Sequence, residues 1–239
     1  MLEELLPPSV SCRETREDRE VPLFPAEQVI IANAVEKRRR EFVTGRWCAR
    51  FAMQQLGLPP TPIVPHGPQG EPSWPASIVG SITHCIGYRA AAVARRSDLM
   101  TLGIDAEPNE PLPGGVLEAV SLPSERSELA RINGLDGVCF DRLLFSIKES
   151  IYKAWYPRTH KFLDFTDAAV SIVPHQGTFT ARILAPPARI AGTRISGFTG
   201  RWLARDGLLL TAIGLPHSLA ETGRKPATGM RRSGTSVGS

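Results

Sequence analysis

Two periodicities of different kinds stand side by side in this chain, and together they limit the folds open to it. Leu102-Gly103-Ile104-Asp105-Ala106-Glu107 reads as a strand that ends in two carboxylates. Side chains alternate along a strand, so Asp105 and Glu107 share a face and Ala106 points the other way. Two residues of rise put them roughly 6.6 Å apart. Carboxylates this close repel unless a proton or a cation lies between them. A hard divalent ion such as Mg²⁺, with phosphates completing its shell, resolves the repulsion. Further along, Asp141 to Tyr156 has helical spacing, with Asp141 as N-cap and Pro157 as the stop. Leu144, Ile147, Ile151 and Trp155 form its core stripe. Glu149 and Lys153 lie four residues apart on the outward side, with Lys148 on the flank. A pair at this spacing is most often an ordinary surface ion pair. Three carboxylates can instead hold one metal ion, with two lysines left for phosphates that the metal also binds.

The rest of the chain mixes the same two periods. Residues 1 to about 25 read as an irregular arm without a function of its own. Ala26 to Leu56 is helical, with a break expected near Thr44-Gly45 and an end at Gly57 and Pro59-Pro60. It carries Lys37-Arg38-Arg39-Arg40, Arg46 and Arg50. Such a run is commonly a solvated face, but guanidinium forks also match phosphate oxygens. On a straight helix Arg39 aligns with Arg46 better than Arg38 does, and Arg50 reads as structural. Pro65-His66-Gly67-Pro68-Gln69-Gly70-Glu71-Pro72 is a loop able to wrap a base. Strands are expected at Tyr88–Ala94, Ala168–Val173, Thr178–Leu184, Gly197–Ala204 and Leu208–Leu215, and a helix start at Ser121-Leu122-Pro123-Ser124-Glu125-Arg126.

The location of the charge argues against one class of partner. The net charge is +4, and the segment from Glu221 to Ser239 carries four basic residues against one acid. The rest of the chain is therefore close to neutral, which is no global footprint for nucleic acid. The four cysteines are scattered and suggest free thiols in a reducing cytoplasm rather than zinc or disulfides. The N-terminus lacks the features of a signal peptide, and no apolar run suits a membrane span. A cytoplasmic monomer is expected, with a disordered tail over 220–239.

Gly103-Ile104-Asp105-Ala106-Glu107 and Phe145-Ser146-Ile147-Lys148-Glu149-Ser150-Ile151-Tyr152-Lys153 resemble, in this order and spacing, the paired motifs of the 4′-phosphopantetheinyl transferases. The similarity runs from about Val35 to about Leu215. It is to the long, single-chain, surfactin-synthetase-activating type, and Gly80-Ser81-Ile82-Thr83-His84 gives it an actinobacterial look. The resemblance implies an α+β fold of two pseudo-symmetric halves, 1–107 and 108–219, with the active site in the cleft between them. It implies Mg²⁺-dependent transfer of 4′-phosphopantetheine from coenzyme A to a serine of an apo acyl or peptidyl carrier protein, releasing 3′,5′-ADP. Fatty-acid, polyketide and non-ribosomal-peptide carriers all fit.

By the same resemblance Asp105, Glu107 and Glu149 hold the metal. Arg38, Arg46, Gln69, Gly70, Glu71, Pro72, Thr83, His84, Asp105, Lys148, Lys153 and Leu163 contact coenzyme A. Arg38 and Arg46 meet its 3′-phosphate, and Leu163 walls the pantetheine arm. Gln69 stands where the family usually has a basic residue, which removes one phosphate or ribose contact. Glu149, Lys148 and Asp105 are the catalytic candidates. The serine proton can pass to Glu149, to a metal-bound water or to Lys148, with Glu149 favoured, directly or through water. Two other readings compete: a coenzyme A or carrier-protein binding module without turnover, towards which Gln69 points, and a nucleic-acid binder using the arginine run. The intact acidic set argues against the first.

Overall fold

The computed structural model describes residues 1–66, 69–132 and 137–217. The expected tail over 220–239 lies outside the described residues. The elements in order are β1 (Val10–Thr15), α1 (Pro25–Ile30), α2 (Glu36–Gln55), β2 (Pro65–His66), β3 (Glu71–Pro72), β4 (Ile78–Cys85), β5 (Tyr88–Arg95) and β6 (Leu99–Pro108). There follow α3 (Val116–Val120), α4 (Pro123–Ile132), α5 (Phe140–Thr159), β7 (Ala168–Val173), β8 (Thr178–Ile183), β9 (Ala188–Ile190), β10 (Thr193–Ile195), β11 (Gly197–Arg205) and β12 (Leu208–Pro216). The fold is α+β, as the resemblance implies.

Two antiparallel sheets carry the structure, one with the order β1-β5-β4 and one with the order β6-β12-β11-β8-β7. Helix α2 packs on the first sheet and α5 on the second. The strand expected at Tyr88–Ala94 is β5, buried on both faces, and a turn at 96–98 connects it to β6. Both C-terminal hairpins also form where turn residues punctuate alternating runs. The division expected after residue 107 cuts β6 near its end. By hydrogen bonding β6 pairs with β12, Asp105 opposite Thr211, so the strand of the carboxylates belongs to the second sheet. β4 and β6 lie in different sheets, and hydroxyls bridge them. Ser81 Oγ accepts from the Ile104 N–H at 3.1 Å, and Thr83 Oγ1 accepts from the Ala106 N–H at 3.1 Å.

Helix α5 buries Leu144, Ile147, Ile151 and Trp155, each worth roughly 1.5–3 kcal/mol against solvent exposure. It starts one residue earlier than expected and runs through Pro157 to Thr159. Proline removes one N–H and strains the preceding turn. Here the final turn is held by other bonds: Arg158 Nε donates to the Met100 carbonyl at 3.0 Å, and the His160 N–H donates to Tyr156 at 2.8 Å. Asp141 is not the N-cap. It lies inside the first turn and accepts from the Leu112 N–H at 2.8 Å, tying the preceding crossover to the helix.

Two other expectations change. The helical region 26–56 breaks between α1 and α2, not at Thr44-Gly45. Gly45 sits within α2 because that turn lies against β4, where a Cβ would stand 3.2 Å from the Ile82 side chain. The first 25 residues are not an irregular arm. Leu2, Leu5 and Val10 are buried, and β1 adds itself to β5 over its whole length.

Candidate active site

The strand β6 brings its carboxylates against α5 at an unusually short separation, and Gly103 is the reason. A Cβ on Gly103 would lie 2.1 Å from the Ser150 carbonyl oxygen and 2.8 Å from the Ala154 nitrogen, both backbone atoms of α5. Only glycine admits this approach. Two residues on, Asp105 is buried and its Oδ1 accepts from Lys153 Nζ at 2.7 Å and from Thr83 Oγ1 at 3.1 Å. Its Oδ2 is buried without a hydrogen-bond partner. Glu107 faces Arg142, whose Nη1 donates to Oε2 at 3.1 Å. Burial raises the Glu107 carboxyl above its usual range, Asp105 adds to the rise, and Arg142 opposes it.

Lys153 does not pair with Glu149 four residues earlier. It crosses to Asp105, so the surface ion pair suggested by the spacing is not formed among the described residues. Burial pushes the Glu149 carboxyl up; Lys153 draws it back in part, and Asp105 pushes it further.

A cleft of about 250 Å³ opens between α2, β4 and the loop around β2–β3 on one side and α5 on the other. It is lined by Arg38, Arg46, Gln69, Gly70, Glu71, Pro72, His84, Glu149 and Lys153, all expected site residues. Arg38 Nη1 lies 3.0 Å from His84 Nε2, whereas Arg39 turns back to the Ala32 carbonyl. The geometry thus takes Arg38, not Arg39, to the cleft. Arg46 is buried, lies over the Phe42 ring at 3.7 Å, and donates from Nε to the Ile63 carbonyl at 2.9 Å. Burial draws the His84 imidazole below its usual value; Glu41, 3.7 Å from Nδ1, opposes this, while Arg38, Lys153 and Arg89 add to it.

A second cavity of about 220 Å³ adjoins the first and is lined by Gln69, Glu149, Tyr152, Phe162, Leu163 and Phe165. Gln69, Glu149 and Tyr152 line both. Glu149 therefore stands where a polar, cationic cleft meets a narrower apolar one. Leu163 is a wall of the second cavity.

Two expected contacts, Thr83 and Asp105, line neither cavity, while Lys148 lines the second. Lys148 is not an outward flank residue. Its ammonium is buried and donates to Glu125 Oε2 at 2.7 Å and to the Phe165 carbonyl at 2.8 Å. Glu125 also accepts from the Leu122 and Val170 N–H groups, each at 2.7 Å. Lys148 thus braces α4, β7 and the wall of the second cavity. Burial lowers its affinity for a proton and Glu125 restores part of it. Thr83 does not line the cleft. It is buried beneath it, donating to Asp105 and accepting from β6. The sequence reading passed over Glu41, Arg142, Tyr152 and Glu125. Only Glu125 had a local signal, the acid two residues after Pro123 that caps α4.

Among the described residues no group of three acidic, histidine or cysteine side chains is gathered for a metal. An ammonium and a guanidinium cover Asp105 and Glu107 instead. The donors still suit a hard cation: they are all oxygens, Asp105 Oδ2 is orphaned, and Glu107 and Glu149 both feel the Asp105 charge.

Two family models match. One, described as the 4′-phosphopantetheinyl transferase N-terminal domain, covers residues 26–94, and one described as the 4′-phosphopantetheinyl transferase superfamily covers 101–202. Their gap falls at the β5–β6 turn. The chain is 54% identical over 213 residues to 4′-phosphopantetheinyl transferase Svp of Streptomyces mobaraensis, covering 86% of each chain. It is 47% identical over 194 residues to 4′-phosphopantetheinyl transferase PptT of Mycobacterium tuberculosis, covering 80% of this chain and 85% of that one. It is 46% identical over 222 residues to 4′-phosphopantetheinyl transferase Npt of Nocardia iowensis, covering 89% of this chain and 99% of that one.

Proposed function

This chain belongs to the 4′-phosphopantetheinyl transferases, enzymes of the holo-[acyl-carrier-protein] synthase type, and on that premise we propose that it moves 4′-phosphopantetheine from coenzyme A to a serine of an apo acyl or peptidyl carrier protein, releasing 3′,5′-ADP. One observation carries the assignment of parts: the two adjoining cavities that share Glu149 and Tyr152. The wider, cationic one suits a nucleotide with its phosphates, and the narrower, apolar one suits an extended arm. The bond to be broken then belongs at their junction.

Phosphoryl-type transfer needs alignment and charge neutralisation more than covalent help. Arg38, Arg46 and His84 bind phosphate oxygens in the cleft. Lys153, now on Asp105, is within reach of the pyrophosphate side. Asp105, Glu107 and Glu149 would hold Mg²⁺, which when bound supplies positive charge to the pyrophosphate. The carrier serine attacks the β-phosphorus, its O–P bond forms, and the bond from that phosphorus to the oxygen of 3′,5′-ADP breaks. Glu149 takes the serine proton, which its raised proton affinity favours. Lys148 is spoken for by Glu125 and is not the base. Leu163 and Phe165 give the arm an apolar wall, with the exposed Phe162 at its rim.

The test is the intact mass of several apo carrier proteins after incubation with this protein, coenzyme A and Mg²⁺. One phosphopantetheine arm should be gained, and the gain should vanish with EDTA. Asp105→Ala and Glu149→Ala should abolish it while leaving the circular dichroism spectrum unchanged. Full activity of either variant at saturating Mg²⁺ would refute the acidic-set assignment.

A further inference from the structure

Helix α1 contributes a fully buried carboxylate outside the cleft. Glu27 has no solvent exposure. Oε1 accepts from the Ile63 N–H at 2.8 Å, and Oε2 accepts from the Phe24 N–H at 3.1 Å and from Arg50 Nη2. An isolated buried carboxylate would be costly, so the site supplies a cation and two backbone donors. The arrangement does more than satisfy Glu27. Ile63 is held from both ends, its N–H by Glu27 and its carbonyl by Arg46 Nε at 2.9 Å. Its side chain is buried between α2 and the first sheet, so the residue cannot drift. Residue 63 also begins the loop that wraps the cleft.

Arg46 is thereby held at two points and free at its fork. Nε is bound to Ile63, the guanidinium plane lies on the Phe42 ring, and among the described residues its terminal nitrogens make no hydrogen bond. Burial lowers its proton affinity and Glu27 raises it again. The fork that matches a phosphate is left open towards the cleft. Arg50 is the counter-ion of the carboxylate, a structural role as its place in the arginine run predicts; its Nη1 also donates to the Pro22 carbonyl at 2.9 Å.

We infer that Glu27 is a positioning residue for phosphate recognition: through Ile63 it holds the Arg46 guanidinium ready for the 3′-phosphate of coenzyme A. This rests on the proposed assignment of Arg46 to that phosphate. Glu27 touches no substrate; its effect is on how well Arg46 is aimed.

Coenzyme A and 3′-dephospho-coenzyme A differ only by the phosphate in question, so the ratio of their dissociation constants reads the contacts to that phosphate, and comparison with Arg46→Ala gives the share that Arg46 carries. The ratio is measured by titration calorimetry on the full chain. Glu27→Gln keeps shape and a hydrogen-bond acceptor but removes the charge. It should reduce the preference for coenzyme A by about tenfold, the scale of a weakened charged hydrogen bond, with little change in binding of the dephospho compound. A general loosening of the fold would weaken both ligands equally and would overturn the inference. So would an unchanged ratio in Glu27→Gln when Arg46→Ala abolishes the preference; in that case Arg46 keeps its role and Glu27 loses its own. If Arg46→Ala itself keeps the preference, the assignment of Arg46 fails, and the inference with it. Should Glu27→Gln not fold, Glu27→Asp, charged but one methylene short, is expected to show the same selective loss at smaller size, and an unchanged ratio there refutes it equally.

Discussion

Gly103→Ala is the perturbation whose consequence the structure states most directly. The added Cβ would meet the Ser150 carbonyl oxygen at 2.1 Å, the Ala154 nitrogen at 2.8 Å and the Ala154 Cβ at 2.9 Å. Two of these are backbone atoms with no rotamer to turn away. Helix α5 must therefore retreat from β6 by on the order of 1 Å to restore normal contact. Overpacking of this kind costs about 1–3 kcal/mol, and the upper end applies because no side chain can yield. For a chain of this size about 3 kcal/mol corresponds to roughly 6–12 °C in melting temperature. The same retreat separates Lys153 and Glu149 on α5 from Asp105 and Glu107 on β6. A misplacement on the order of 1 Å can cost about 10²-fold in rate. Calorimetric melting and carrier loading, the latter measured well below the melting point, report the two effects separately. Ala154→Gly in the same chain removes only the third contact and should rescue little. A variant that melts with the parent would show that α5 and β6 have slack at this crossing. One that melts early but loads carriers at the parental rate would break the link between this packing and the site.

Lys148→Met should cost about 3–5 kcal/mol in urea denaturation, because it strands the buried Glu125 carboxylate; adding Glu125→Gln should recover much of the loss. A single variant within about 1 kcal/mol of the parent would mean that the pair is not structural. In the Mg²⁺-free protein the Glu149 carboxyl should titrate above the ordinary glutamate value, because burial raises it, as carbon NMR of the side chain reads; added Mg²⁺ should draw it down. Glu149 and Glu107 both bind protons more tightly folded than unfolded, so without metal their contribution to stability grows as pH falls through the raised values. A Glu149 titration at or below the ordinary glutamate value in the metal-free protein would refute the burial argument.

Much of the architecture is carried by local patterning. The apolar row Leu144, Ile147, Ile151, Trp155 is set by the helix period, and the hairpins at His175-Gln176-Gly177 and Arg205-Asp206-Gly207 are set by turn chemistry; both hold in the fold. The spacing of Asp105 and Glu107 on one strand face is likewise a property of β geometry alone. Periodicity says which way a side chain leaves its own element; it does not say what stands opposite. Lys148 reads as a flank residue on α5, yet Glu125 on α4 meets it and takes it inward. Arg38 and Arg39 are indistinguishable by spacing until His84 and the Ala32 carbonyl each claim one. Glu27 is an ordinary first-turn acid until Ile63 and Arg50 arrive from elsewhere in the chain. Long charged side chains take their direction from partners distant in sequence, and only the packed structure supplies those partners. The sequence alone therefore determined the α5 core stripe, the C-terminal hairpins, the paired motifs and the chemistry they suit, but not β1 or the break between α1 and α2. The tertiary structure decided which charges face the cleft, because that depends on which buried groups have already claimed the rest.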